Sequence, residues 1–173
     1  MVRLIAMLII FGAPNVRVPA QPEVRCDIRA NLLDEDPNGT NVRGGAGRAF
    51  PVVGVLPHGR TDVVTVVASK GAWIKISGAE DEDGGTVFDR GGWVFSSLLG
   101  MTVSRNPDDR LKKGSHNLYA APSEKSAVLT RLPAESALTL VGCDGKWAKV
   151  KYGQKTGWVA PEAQCTNTRT NCS

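Results

Sequence analysis

Two stretches of this chain alternate apolar and polar residues in the same order. Trp73, Ile74, Lys75 and Ile76 run on to Gly92-Trp93-Val94, and Trp147, Ala148, Lys149 and Val150 run on to Gly157-Trp158-Val159. Side chains of a strand point alternately to its two faces, so Ile74 and Ile76, or Ala148 and Val150, are predicted to face inward. Trp73 with Lys75, and Trp147 with Lys149, then share the outer side. Before each stretch stands an apolar or β-branched run, Val63-Val64-Thr65-Val66-Val67 and Ala137-Leu138-Thr139-Leu140-Val141, which predicts a strand buried on at least one face. Ser69-Lys70-Gly71 and Asp144-Gly145 supply the intervening turns, the second a strong hairpin dipeptide because both central positions of that turn need positive φ. Short strands at this spacing, with no helix long enough to cover a sheet, predict an all-β fold of small closed barrels.

The two copies also align upstream. Asn41-Val42-Arg43 precedes Asn117-Leu118-Tyr119 by 76 positions, and Leu56-Pro57 precedes Leu132-Pro133 by the same 76. The register then slips, because the two tryptophans of the first copy lie 20 residues apart and those of the second 11. The nine extra residues fall around Glu80-Asp81-Glu82-Asp83-Gly84-Gly85, which reads as a lengthened hairpin loop. A pattern repeated in order predicts two tandem copies of one β unit. Between them Arg105 to Gly114 is charged and poor in apolar residues, the composition of a solvated linker. The expected organisation is a leader at 1–20, a first barrel at 21–100, a linker at 101–115, a second barrel at 116–165 and a tail at 166–173.

The leader reads as a cleavable secretory signal: Arg3, an eight-residue apolar run from Leu4 to Phe11, and a small-residue exit at Val18-Pro19-Ala20. The run is too short to span a bilayer, so no membrane insertion is expected after cleavage following Ala20. Glu23-Val24-Arg25 before Cys26 do not resemble a lipidation box. The remaining 153 residues carry 19 basic and 17 acidic side chains, which offers no concentrated basic face for nucleic acid. Export suits four cysteines, Cys26, Cys143, Cys165 and Cys172, and predicts two disulfides in an oxidising compartment. Four cysteines allow three pairings, and all three stay open; Cys165 and Cys172 frame the short polar tail.

Asn41-Val42-Arg43-Gly44-Gly45-Ala46-Gly47, Val52 to Gly59, Val63 to Val67, Gly71 to Ile76 and Gly92-Trp93-Val94 together resemble a bacterial Src-homology-3-like (SH3b) domain. Leu118 to Cys165 resembles the same family more loosely, with Tyr119-Ala120-Ala121-Pro122 standing where the family usually has an arginine followed by small residues. The resemblance covers most of the mature chain. It implies a binding module of exported or cell-envelope proteins, sometimes one that recognises peptidoglycan peptides, and it brings no catalytic residues.

The remaining candidates for chemistry point the same way. His58 and His116 sit in turn-like contexts, and no Cys or acidic cluster keeps metal-ligand spacing with either. The acidic run at 80–83 is adjacent and loop-borne, the pattern of a solvated, self-repelling loop, and it lacks the alternating ligand spacing of a calcium loop. The cysteines fit no C-x-x-C pattern. No cofactor, metal or catalytic site is expected. Aromatic side chains at a barrel mouth give flat platforms for peptides or sugar rings, which makes Trp73, Lys75, Trp147, Lys149, Arg43 and Tyr119 the ligand-binding candidates. The tryptophans also suit partly buried packing positions, with Trp73 and Trp147 the more outward, and Arg43 suits a salt bridge as well as a ligand clamp. The expected protein is a non-catalytic, periplasmic or secreted module whose partner is a cell-wall peptide. The alternative is a structural or regulatory protein docked on another envelope protein.

Overall fold

A computed structural model of the protein describes residues 21–105 and 115–166. The expected signal segment 1–20, most of the linker, and Cys172 with the end of the tail lie outside the described residues.

The first unit contributes β1 (Val24–Leu32), β2 (Thr40–Arg43), β3 (Val52–Leu56), β4 (Val63–Lys70), β5 (Trp73–Glu80), β6 (Thr86–Phe88), β7 (Gly92–Phe95) and β8 (Leu99–Val103). The second contributes β9 (Ser115–Tyr119), β10 (Val128–Pro133), β11 (Ala137–Asp144), β12 (Trp147–Tyr152), β13 (Lys155–Val159) and β14 (Gln164–Cys165). Among the described residues helix is limited to two 3-10 turns, Ser96–Leu98 and Pro161–Ala163, one after each Gly-Trp-Val strand. The protein is therefore all-β, two SH3-like barrels in tandem.

Alternation in the chain becomes burial in the fold. Ile74, Ile76, Ala148 and Val150 are fully buried, while Trp73, Lys75 and Trp147 are half-buried and Lys149 is exposed. The copies line their cores with equivalent residues: Val42 and Leu118, Leu56 and Leu132, Val64 and Leu138, Val66 and Leu140, Val94 and Val159. The glycine that opens each Gly-Trp-Val motif has one physical cause in both copies. A Cβ on Gly92 would lie 2.3 Å from the Val42 side chain and 3.1 Å from the Arg43 carbonyl oxygen. On Gly157 it would lie 2.7 Å from Leu118 and 2.7 Å from the Tyr119 carbonyl oxygen.

The acidic insert forms the expected hairpin. Asp81 N–H donates to the Gly85 carbonyl (2.8 Å), the Asp81 carboxylate accepts from Gly85 N–H (2.7 Å), and Gly84 takes φ +82°. Its return strand β6 pairs with β5 and delivers Phe88 to the core, where the ring occupies the space a side chain on Gly54 would need.

The boundary between the units differs from the expectation. Leu99, Met101 and Val103 alternate and are almost wholly buried, so the first residues of the expected 101–115 linker are a strand. β8 pairs with β1 on one side and with β11 of the second unit on the other, and β14 adds to it as well. Charge begins only at Arg105, and nothing in the sequence sets Met101-Thr102-Val103 apart from the segment that follows.

β1 is the second joint. It lies between β4 and β8, its Cys26 is disulfide-bonded to Cys143 of β11, and Asp27 N–H donates to the Gly145 carbonyl (2.8 Å). Buried Asn31 donates to the Thr166 carbonyl (2.7 Å) at the far end of the second unit. Cys165 is disulfide-bonded as well. Of the three pairings left open, Cys26 with Cys143 is the one observed, across a Cα–Cα distance of 5.7 Å. Ser104 hydrogen-bonds the Ala163 and Glu162 backbone and approaches His116 Nε2 at 3.3 Å. His116 is thus a buried strand residue rather than a turn residue, whereas His58 is exposed beside a Gly59 turn.

Two outcomes follow from this packing. Cys26→Ser with Cys143→Ser opens a cross-link spanning 117 positions and is expected to cost about 2–5 kcal/mol, measured as a lowered guanidinium midpoint. Gly92→Ala and Gly157→Ala each force a Cβ against the neighbouring strand and are expected to cost about 1–3 kcal/mol in the same assay.

Candidate functional site

The structure places the candidate residues on one outer surface of each barrel but gives the two surfaces different chemistry. In the first unit Trp73 and Phe95 are cross-strand partners of β5 and β7, and their rings meet edge to face with centroids 5.6 Å apart. In the second unit Ala160 stands where Phe95 stands in the first, and Trp147 finds its edge-to-face partner in Tyr119, at 5.7 Å. Tyr119 occupies the position of Arg43: each pairs with the central tryptophan of its own unit, Trp158 or Trp93. The substitution noticed in the sequence therefore restores an aromatic pair that the loss of Phe95 would have removed.

Lys75 and Lys149 do not sit over Trp73 and Trp147. Each lies over the tryptophan across the strand pair, Lys75 over Trp93 at 5.7 Å and Lys149 over Trp158 at 5.6 Å, a cation–π contact repeated in both copies. Trp93 is buried at 6% exposure, while Trp158 is half-exposed. Sequence reasoning missed this pairing because its partners are fixed by register between strands, not by spacing along one.

Arg43 is a clamp on its own loop. Its guanidinium donates to the Arg48 and Phe50 carbonyls at 3.0 and 2.8 Å, which holds the glycine-rich turn after β2 against the barrel. That turn brings Arg48 over the Phe95 ring at 5.9 Å. Trp73, Phe95, Arg43 and Arg48 then line a groove of about 390 Å³, closed on the other side by Asp34 and Asp36. Neither acid was singled out in the sequence, where they appear as ordinary loop carboxylates before β2. Lys75 stays outside this groove, and the acidic insert faces a separate depression formed with the turn at Gly59 to Asp62.

The two carboxylates are fixed by the loop itself. Asp34 accepts from Thr40 Oγ1 (2.5 Å) and from Asp36 N–H (3.2 Å). Asp36 accepts from Asn38 N–H (2.9 Å) and from Asn38 Nδ2 (3.0 Å), and these bonds to the charged form, the backbone one foremost, hold its carboxyl below the ordinary carboxylate range. Among the described residues neither has an ion-pair partner. An aromatic wall, anionic oxygens and two arginines, of which Arg43 is held by the Arg48 and Phe50 carbonyls, meet at one open groove. Such a surface can hold a chain with an apolar body and an ammonium, and can orient a carboxylate at Arg48.

The sequence model of the bacterial SH3 domain family matches residues 38–100 and 114–163, so the chain belongs to that family, with two copies in tandem. It is 25% identical over 143 residues to a Bacillus subtilis (strain 168) protein named "Putative N-acetylmuramoyl-L-alanine amidase YrvJ", a match covering 75% of this chain and 25% of that protein. The chain thus corresponds to about a quarter of the relative's length. Among solved structures it is similar to NlpC2 from Trichomonas vaginalis, at 16% identity and TM-score 0.31, covering 83% of this chain and 48% of that one. It is also similar to NlpC1 from the same organism, at 14% identity and TM-score 0.32, covering 86% and 47%.

Asn38→Ala removes the side-chain donor to Asp36 but leaves the backbone donor. The Asp36 pKa is therefore expected to rise part of the way back towards the ordinary carboxylate value, read from the carboxyl carbon shift in an NMR pH titration.

Proposed function

We propose that this protein is a non-catalytic, exported binding module of the cell envelope that takes a peptide of peptidoglycan in the Trp73 groove of its first barrel. The observation that carries this reading is the convergence of the Trp73–Phe95 pair, Asp34, Asp36 and Arg48 on one groove. Wall peptides offer what such a groove can use: short aliphatic side chains for the aromatic faces, ammonium groups for the carboxylates and carboxylates for the guanidinium. Membership of the SH3b family and likeness to part of a protein named as an N-acetylmuramoyl-L-alanine amidase support the same substrate class. The Cys26–Cys143 disulfide supports an oxidising compartment. In this reading the module positions and bond cleavage belongs to other polypeptides or domains.

A second reading, a structural or regulatory protein docked on another envelope protein, draws on the two ends of the sheet. Among the described residues β3 and β10 each pair with one neighbour, and they expose Val52, Val53 and Val55, and Val128 and Leu129, respectively. Unpaired strand edges with apolar side chains can accept a further strand.

Co-sedimentation with purified sacculi separates the two. Wild type is expected to pellet with the wall material, and Trp73→Ala to lose about tenfold in affinity, the order expected for removing one aromatic platform, with an unchanged circular dichroism spectrum. Binding unaffected by Trp73→Ala, together with one dominant cross-linked protein in cells, would establish the docking reading instead. Turnover of muropeptides by the purified chain would overturn both.

A further inference from the structure

The largest of the hollows described lies elsewhere, at the seam where the two barrels meet, and its volume is about 630 Å³. One wall comes from Gln21 and Pro22 ahead of β1, one from Ser69 at the end of β4, and one from Val141 to Cys143 of β11; Lys149 and Trp158 complete it. The walls are tied together. Ser69 Oγ donates to the Cys143 carbonyl at 3.2 Å and accepts from Cys143 N–H at 3.4 Å, and Cys143 is bonded to Cys26 of β1. The hollow is thus part of the folded state and needs no movement to form.

The two copies differ in the charge they present. Lys75 lies over Trp93 and has its charge met by Glu23 at 3.6 Å, above a buried ring. Lys149 makes the same contact with Trp158, but among the described residues no carboxylate lies within ion-pair distance of it, and its ring is half-exposed in the seam. Among the described residues that line the hollow it is the one charged side chain. The same pair is closed and neutralised in one unit, and open and unneutralised in the other.

We propose that the seam is a second binding site, for a small ligand that carries a single carboxylate on an apolar body. The carboxylate meets the Lys149 ammonium, and the apolar body lies on Trp158, Val141 and Pro22. Among the described lining residues Lys149 is the single charged side chain, and it matches a single negative charge. The same chemistry is offered by a free organic acid and by the C-terminus of a peptide. The site uses neither Trp73 nor Asp34, so it stands whether or not the groove of the first barrel binds wall peptides.

The test uses the disulfide-bonded mature chain and follows the Trp158 indole N–H by NMR, assigned against Trp158→Phe. N-acetyl-leucine represents a free acid and acetyl-trialanine a chain end, each compared with its C-terminal amide. The acids are expected to shift the Trp158 signal at millimolar concentration, with the tighter of the two showing the source. The amides should leave it unmoved. Lys149→Met and Lys149→Gln should each weaken binding tenfold or more, while Lys151→Met, which removes an exposed charge two residues along, should not. Should the amides bind equally, should the Lys149 variants retain affinity, or should no acid move the Trp158 signal, the proposal is wrong.

Discussion

The interaction on which this structure depends is the placement of β1. Nine residues lying outside the family's matched segments enter the sheet between β4 and β8, and they are then bound to the second unit by a disulfide, two backbone hydrogen bonds with Gly145 and the Asn31 side chain. Two units of about 60 residues would each bury a modest share of their surface. Joined through β1 and β8, they share one continuous sheet and one contiguous apolar cluster. The orientation of the two barrels is thereby a property of packed strands and a covalent bond, not of the charged segment that connects them.

A fixed orientation has a consequence for recognition. Flexible tandem modules gain affinity by searching with a linker, whereas rigid ones can build a site that neither possesses alone. The hollow at the seam is of that kind, since strands from both units and the residues preceding β1 contribute to it. The two outer surfaces, by contrast, diverge on a common scaffold. Glycines 92 and 157 are held by the same contacts, whereas the aromatic partner moves from Phe95 to Tyr119 and the loop clamp changes from the Arg43 guanidinium to the Ser126 hydroxyl on Ala121. Core positions must fill the same space in both copies. Surface positions answer only to what they touch.

The repeat was legible because burial on alternate residues leaves a period of two in the chain, and because Gly92 and Gly157 admit no side chain where the strands cross. The acidic hairpin was legible from its turn residues. Asp34 and Asp36 were not, since a loop carboxylate becomes part of a groove only when β2, β5 and β7 bring Trp73, Arg48 and Phe95 alongside it. Nor was His116, whose burial comes from Ser104 and the 3-10 turn at Pro161–Ala163 rather than from its own neighbours in sequence.

What the sequence determined by itself is therefore local and periodic: strand, turn, inward or outward face, and the duplication of the whole pattern. The tertiary structure alone decided that Cys26 bonds Cys143, that β8 belongs to both units, and that Lys75 has Glu23 beside it while among the described residues Lys149 has no carboxylate within ion-pair distance. The physical reason is the same in each case. Alternation and turn chemistry act between residues a few positions apart, whereas register, disulfide pairing and charge compensation join residues that meet only after the chain has closed on itself.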